Sequence, residues 1–428
     1  MRVSIHKNIA DPKSFKEQLL SWAQQFREVA FLESNSYPDQ YSSFDFVLAV
    51  DAFTLLQTDY FNAFEDLKQY QQNTKDWLFG YLSYDLKNDI EDLKSNNWDG
   101  LDFPDLFFFQ PKKIFLMKGN QLEICYLLFC DDEVEEDFNE INKIESVSFQ
   151  TLNKIEVQQR ISKEKYVEKV KKMLEHIHQG DMYEANFCME FYAEKAVINP
   201  LEKFQKLNEI SQAPFSVFLK NNKNFLLSAS PERYLKKSGE KIISQPIKGT
   251  SKRFLDAEED KSSKQFLESD AKERAENIMI TDLVRNDLSH TAQKGSVAVE
   301  ELCKIYSFLQ VHQMISTVTS RLDAQFSAVD VLKTTFPMGS MTGAPKISVM
   351  KIIENLEATK RGLYSGAVGY FTPDGDFDFN VVIRSILYNQ EKQYVSFSVG
   401  SAITSLSIPE KEYEECLLKA KAMHEVLQ

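Results

Sequence analysis

The sequence predicts an α+β protein built on antiparallel sheet. Short apolar runs separated by turn clusters recur in groups, as half-buried strands do. Between the groups lie longer stretches with apolar residues at helical spacing. Strands and helices do not alternate in the regular order that a parallel βαβ sheet requires.

Taken in order, residues 29–32, 44–50 and 77–82 have strand character, continued by 107–109 and 124–129. The acidic run at 131–137 reads as a solvated face or linker, leading into a polar segment that ends near Arg160. The expected organisation is an N-terminal part at 1–140, a linker at 141–160 and a C-terminal part at 161–428. Ser162 caps a helix whose inner face carries Val167, Val170, Leu174 and Ile177, and Gly180 ends it. Strand-like segments follow at 183–192, 215–219, 225–229 and 234–246, then helical spacing over 261–287. Pro345 is expected to open a helix with Ile347, Met350, Ile353 and Leu356 as its stripe. Further strands at 366–371, 379–387 and 394–399 lead to a last helix over 409–427.

Composition narrows the function classes. A chain of 428 residues with 43% hydrophobic content and 32 Phe can fill a sizeable core. The net charge of −14 argues against nucleic-acid binding, which needs a basic footprint. Five scattered cysteines without a CxxC pair indicate neither a zinc site nor a disulfide framework. No apolar run is long enough for a signal peptide or a membrane span, so the expectation is a cytoplasmic, reduced protein.

The chemistry-bearing residues fall into a few groups. In Gln245-Pro-Ile-Lys-Gly-Thr250, Pro246 marks a strand end and Gly249 lets a ligand approach the backbone, so Lys248 is held between two fixed points. Taken alone, it reads as a structural strand-end lysine. Glu232, in Ser230-Pro-Glu-Arg233, precedes it by sixteen residues, a spacing that a hairpin converts into proximity. A carboxylic acid beside an amine suits acid-assisted leaving-group loss with nucleophilic attack, and a cross-strand ion pair is the bland alternative. Glu276 shares a helix face with Met279, Ile280 and Leu283, where a carboxylate is costly unless paired or bound to a cation. Glu412, Glu415 and Lys419 stack along the last helix beside Tyr413, Leu417 and Ala420. With Glu276 they compose a carboxylate set suited to Mg²⁺; separately they are ion-pair faces. The loop at 337–346 lacks phosphate-loop spacing, yet a glycine loop feeding a helix is a general anion site. His312, in a strand-like stretch from Gln310, reads as a packed histidine.

Together these segments resemble the chorismate-utilising enzymes, the family of anthranilate synthase and aminodeoxychorismate synthase large subunits. The motifs, in the family's order, are Ser-Pro-Glu232-Arg, Pro-Ile-Lys248-Gly-Thr, Glu276 with Asp-Leu-Val-Arg-Asn-Asp287, Met-Gly-Ser-Met-Thr342-Gly-Ala-Pro-Lys, Arg361-Gly-Leu-Tyr364-Ser-Gly, Phe379-Asn-Val-Val-Ile-Arg384, and Glu412 with Glu415 and Lys419. The resemblance is strong over 160–428 and weak over 25–95. It implies a large antiparallel β-sandwich flanked by helices, with chorismate and Mg²⁺ in a cleft. It further implies that Glu276 and Glu415, helped by Glu412, hold the metal. Tyr364, Arg384 and the backbone at Gly400, Ser401 and Ala402 would hold the enolpyruvyl carboxylate, with Lys419 beside them. Gly249 and Thr250 would line the substrate, Glu232 would be the general acid at the departing C4 hydroxyl, and Thr342 and His312 match family positions near the ring.

Lys248 separates the branches, because anthranilate synthases resemble this chain but carry a small residue there. In the aminodeoxychorismate branch the lysine amine is the implied nucleophile at ring C2. For this role it must be neutral part of the time, which desolvation or Mg²⁺ would encourage from a reference pKa of roughly 10.4. Isochorismate-forming relatives use a base lysine where this chain has Glu184. Ser34, Tyr41, Ser42, Ser43 and Phe44, with Pro214, Phe215 and Ser216, resemble the family's tryptophan pocket. The arginine often preceding that tyrosine is Gln40 here, so tryptophan occupancy stays open. Nothing resembles a Gly-x-Cys-x-Gly amidotransferase turn, so ammonia is expected from a separate glutaminase subunit. Anthranilate synthase and a non-catalytic chorismate- or tryptophan-binding module are the alternatives.

Overall fold

Alternation along the strands decides which way each one faces. In Glu28–Glu33, Val29 and Phe31 join one apolar cluster and Ala30 the other; in Phe46–Thr58, Phe46, Leu48 and Val50 divide from Val47 and Ala49 in the same way. The first cluster fills the space between one sheet and helices such as Pro12–Ala23, Lys163–Gln179, Pro200–Ser211 and Pro409–Leu427. The second lies between that sheet and another and continues onto helices Ala63–Thr74, Ala271–Ser289 and Ala328–Thr335. The computed structural model describes residues 1–37, 40–145, 154–308 and 311–428, so part of the expected linker and Gln310 lie outside the described residues.

The first sheet runs in the order Arg2–Asn8, Gln121–Leu127, Leu106–Lys118, Phe46–Thr58, Glu28–Glu33, Phe215–Asn221, Asn224–Ser230, Ser385–Asn389, Tyr394–Thr404, Glu184–Ala193. The start of Leu106–Lys118 also pairs with Leu78–Leu82, which opens the second sheet. That sheet continues through Ala367–Phe371, Phe377–Val381, Arg233–Ser238 and Lys241–Ser244 to Val311–Arg321. Ile247–Lys252 pairs with the other half of Val311–Arg321, and Ala298–Ser307 covers its far side. Every pairing between these strands is antiparallel, and the fold is α+β as expected. Strands from before and after the expected linker pair directly, Glu28–Glu33 with Phe215–Asn221 and Leu78–Leu82 with Ala367–Phe371. Among the described residues no helix is long and apolar enough to cross a membrane.

Several local expectations need correction. The acidic run is no linker but leads into helix Val134–Lys143, whose Val134 and Ile141 are buried and whose Asp137 pairs with buried Lys113 at 2.5 Å, while Asp132, Glu133, Glu135 and Glu136 form the expected solvated face. The segment 234–246 is two strands, broken by Gly239 at φ +58. The segment 261–287 is two helices, because Asp270 leaves helical angles and its carboxylate caps the N–H groups of Lys272 and Glu273. Pro345 is the N-cap of Lys346–Leu356, and Ile347 points outward. In the last helix the buried stripe is Tyr413, Cys416, Ala420 and Met423, and Leu417 is exposed.

Candidate active site

Lys248 sits one residue into the strand Ile247–Lys252, where the ladder to Val311–Arg321 slips between Ile247 and Thr250. Gly249 takes φ +92 at that slip, a conformation that favours glycine, and a Cβ there would stand 3.1 Å from Glu273 Oε2. The irregularity turns the Lys248 side chain inward: it is 10% exposed and donates to Glu184 Oε1 at 2.7 Å. Glu184 is 1% exposed, fixed at the strand end by pairings to Thr404 on one side and Ala344 on the other. Burial draws the Lys248 amine toward its neutral form, but Glu184, then Glu276 and Glu232, more than offset that and raise its pKa. Desolvation therefore does not supply a neutral amine in this state.

Glu232 stands at the head of strand Arg233–Ser238. Ser340 Oγ donates to its Oε1 at 2.7 Å, and the Ile247 backbone donates to the carboxylate as well. Burial is the dominant influence and lifts its pKa to about 7, against the lowering effects of Ser340 and Lys248. The hairpin spacing thus brings Glu232 and Lys248 within electrostatic reach.

Helix Ala271–Ser289 presents Glu276 inward beside Asn277, Ile280 and Thr281, while Met279 and Leu283 of the expected face are only half-buried. Glu276 Oε1 is buried without a hydrogen-bond partner, and burial raises the carboxyl to about 7, with Lys248 opposing and Glu184 adding to the rise. Helix Pro409–Leu427 contributes buried Glu412 and, one turn on, Glu415, which pairs with Lys419 at 2.6 Å. Lys272 ties the two helices together: burial lowers its pKa, but Glu276, Glu412, Glu273 and Glu415 raise it further than burial lowers it. The carboxylates thus gather around a shared region, although no three His, Cys, Asp or Glu side chains among the described residues are grouped tightly enough to hold a metal. Glu276 Oε1, buried with no hydrogen bond and 3.8 Å from Lys272 Nζ, and the oxygen-only chemistry of these side chains are the features that suit a hard divalent cation.

Tyr364 is buried, its hydroxyl 4.0 Å from Cys188 Sγ. Arg384 takes φ +52 and donates weakly, at 3.5 Å, to the Lys419 carbonyl; burial lowers its pKa, with Tyr364 and Glu415 its electrostatic neighbours. A desolvated guanidinium beside a tyrosine is a fork for a carboxylate. Lys419 Nζ donates to Gly400 O at 2.8 Å, and a Cβ at Gly400 would lie 2.8 Å from Cys188 Sγ. Ser401 is buried toward Tyr166, and Gly400-Ser-Ala402 continues the strand Tyr394–Thr404. Thr250 is exposed and pairs with Gln313. Thr342 is fully buried, its hydroxyl donating to Met338 O. His312 has both ring nitrogens engaged, Nδ1 with Ser307 at 2.8 Å and Nε2 with Asp260 at 3.1 Å, and pairs with Ser251 on the strand that carries Lys248.

Two residues escaped the sequence reading. In sequence Glu184 stands out only where isochorismate-forming relatives carry a lysine, and Ser340 only as part of the 337–346 loop. The signal for Glu184 is an acidic residue at the head of a mostly apolar strand, where a buried charge demands a partner.

Residues 27–425 match the family described as chorismate binding enzyme. The chain belongs to that family. Relatives of this chorismate-utilising enzyme include anthranilate synthases and aminodeoxychorismate synthases. Anthranilate synthase component 1 of Aquifex aeolicus is 32% identical over 368 residues, covering 82% of this chain and 74% of that protein. Aminodeoxychorismate synthase component 1 of Bacillus subtilis is 30% identical over 361 residues, covering 82% and 76%. The namesake of Escherichia coli K12 is 38% identical over 271 residues, 63% of this chain and 59% of that protein, so the match spans about three fifths of that relative. The crystal structure of anthranilate synthase component I from Streptococcus pneumoniae TIGR4 superposes with a TM-score of 0.79 at 24% identity, covering 91% of this chain and 93% of that one, which shows the shared fold.

The family resemblance also named a tryptophan pocket. Ser34, Ser42, Ser43, Phe44, Pro214, Phe215 and Ser216 line one cavity of about 60 Å³ together with Arg233 and Asp378. Tyr41 is not among its lining residues; its hydroxyl donates outward to Glu300 at 3.1 Å.

Proposed function

We propose that the protein aminates chorismate at C4 with ammonia, giving 4-amino-4-deoxychorismate for para-aminobenzoate and folate synthesis. The observation that carries this reading is Lys248, buried in an acidic site beside a glutamic acid whose pKa lies at about 7. Glu232 is the general acid: it gives its proton to the C4 hydroxyl, which leaves as water. Lys248 adds to C2 as that bond breaks, and ammonia then enters at C4 and expels the lysine. Tyr364 and Arg384 orient the enolpyruvyl carboxylate, and Gly249 keeps the floor of the site open. Glu276 and Glu415, with Glu412, are the residues that would hold Mg²⁺, which when bound neutralises the ring carboxylate. That relatives are named component 1 supports a separate glutamine amidotransferase subunit as the ammonia source.

The test is to incubate the protein with chorismate, Mg²⁺ and ammonium and to separate the products. Aminodeoxychorismate as the main product is expected. Fluorescent anthranilate as the main product would move the chain to the other branch, and unconsumed chorismate would leave it a binding module.

A further inference from the structure

Lys248 is held as an ammonium by its carboxylate neighbours, so an attacking amine has to lose a proton inside a buried site. Glu184 stands against it at 2.7 Å, with both side chains at least nine-tenths buried. Its second oxygen, Oε2, is buried with no hydrogen-bond partner among the described residues, which leaves it able to carry a proton. The proposed function gives this carboxylate no role. Other carboxylates face Lys248 from every side: Glu232 ahead of strand Arg233–Ser238, Glu273 and Glu276 on helix Ala271–Ser289, and Glu415 on helix Pro409–Leu427. Of these only Glu184 hydrogen-bonds the amine.

We propose that Glu184 is the proton acceptor of Lys248, taking a proton from the ammonium as the amine adds to the ring and returning it when the amine leaves. The inference rests on the covalent lysine route proposed above. In the first step the Lys248 ammonium passes one proton to Glu184, the nitrogen lone pair forms the N–C2 bond, both ring double bonds shift (C1=C2 to C1=C6 and C5=C6 to C4=C5), and the C4–O bond breaks with the Glu232 proton departing in water. In the second, ammonia bonds to C4, both double bonds shift back, and the C2–N bond pair returns to Lys248 as a neutral amine. Glu184 then reprotonates that amine, and the new C4 ammonium gives one proton to Glu232. Chorismate and ammonia have become aminodeoxychorismate and water, with every protein group restored.

Without ammonia the first step stops at an adduct of chorismate minus water on Lys248, which intact-protein mass spectrometry detects. Its formation rate is to be compared between pH 6.5 and 9.5 in wild type, Glu184→Gln, Glu184→Asp and Lys248→Ala. In Glu184→Gln the proton leaves only to solvent, so the rate at pH 7 falls at least about tenfold and the ratio of variant to wild-type rate climbs roughly tenfold per pH unit. Taking the ratio removes the Glu232 dependence common to both. Glu184→Asp keeps a carboxylate, and its ratio stays independent of pH even if the rate is lower. It serves as the test if the glutamine variant does not fold. An adduct formed by Glu184→Gln at the wild-type rate and pH dependence overturns the role of Glu184 while leaving the covalent route intact. Absence of adduct in wild type, with undiminished product from Lys248→Ala, overturns the covalent route and this inference with it.

Discussion

Glu232 is the residue whose surroundings make the most specific demand on pH. Its ordinary carboxyl value of 4.5 is lifted to about 7 by burial, with only the Ser340 hydroxyl, the Ile247 N–H and the Lys248 charge pulling the other way. A general acid works while protonated, so kcat/KM for amination falls as pH rises through about 7, and a rate profile at low chorismate reads that limb directly. Glu232→Gln removes the limb and lowers kcat by about 10²–10⁴-fold. The same shift has a stability consequence with a fixed sign. A raised native pKa contributes stability fully present below 4.5 and lost as pH rises through about 7. Glu232→Gln therefore melts above wild type at pH 8 in thermal unfolding, with the advantage gone by pH 4.5. An advantage that stays constant across that range would show that the carboxyl is not buried in the way described. At this scale the sequence was legible where a motif fixed a residue, as for Glu232 and Lys248. Their mutual spacing was right because a hairpin is local. Ser340 and Glu184 were not legible as partners, since nothing in one chain position states what a distant strand brings against it.

Helices and strands were read unevenly, for a physical reason. The helix from Lys163 was legible at both ends because its caps are local chemistry: Ser162 accepts from the Lys165 N–H, and Gly180 takes φ +86. The break at Asp270 uses the same chemistry but sits inside a run whose spacing stays helical on both sides, so periodicity hid it. The inward face of Ala271–Ser289 was misjudged because Asn277 and Thr281 are buried polar residues; Asn277 is satisfied by the Met314 carbonyl of a neighbouring strand, and Thr281 by the Asn277 carbonyl one turn back. One junction of elements gives a further expectation. Arg361, just beyond helix Lys346–Leu356, makes two charge-assisted bonds to Glu357 at 2.9 and 2.7 Å and donates to Met341 O and Asn186 O. It thereby ties the helix, the 337–345 loop and the strand Glu184–Ala193 into one support beneath Tyr364. Arg361→Ala leaves the buried Glu357 charge unpaired and is expected to cost about 3–5 kcal/mol in urea unfolding. Removing both charges with Glu357→Leu and Arg361→Met recovers much of it, because the larger share of the loss is the stranded carboxylate. A double variant no more stable than Arg361→Ala alone would place the energy in the two carbonyl contacts instead.

The whole molecule is where sequence reading had least purchase. Strand pairing between Glu28–Glu33 and Phe215–Asn221, or between Leu78–Leu82 and Ala367–Phe371, joins residues far apart in the chain, and no local pattern encodes it. The class, α+β with antiparallel sheet, was legible because turn clusters and period-two runs are local. The sandwich came only through family resemblance. The division at 141–160 follows from the acidic run and the polar segment after it, which mark exposure and not independence. In the fold, the strand Glu28–Glu33 lies between Phe46–Thr58 and Phe215–Asn221, and Leu78–Leu82 lies between Leu106–Lys118 and Ala367–Phe371. A fragment of residues 154–428 would lose both partners, leaving two unpaired strand edges and baring Val217, Leu219 and Val368 of the second cluster. It should aggregate or lack a cooperative melt by circular dichroism, although it carries all the residues assigned to chemistry. Co-expression with residues 1–145 should restore a soluble, co-purifying complex, since the missing strands dock by main-chain pairing and need no covalent link. A cooperative melt of the 154–428 fragment alone would mean that the catalytic half holds its sheet without the N-terminal strands, and the two parts would then be separable domains.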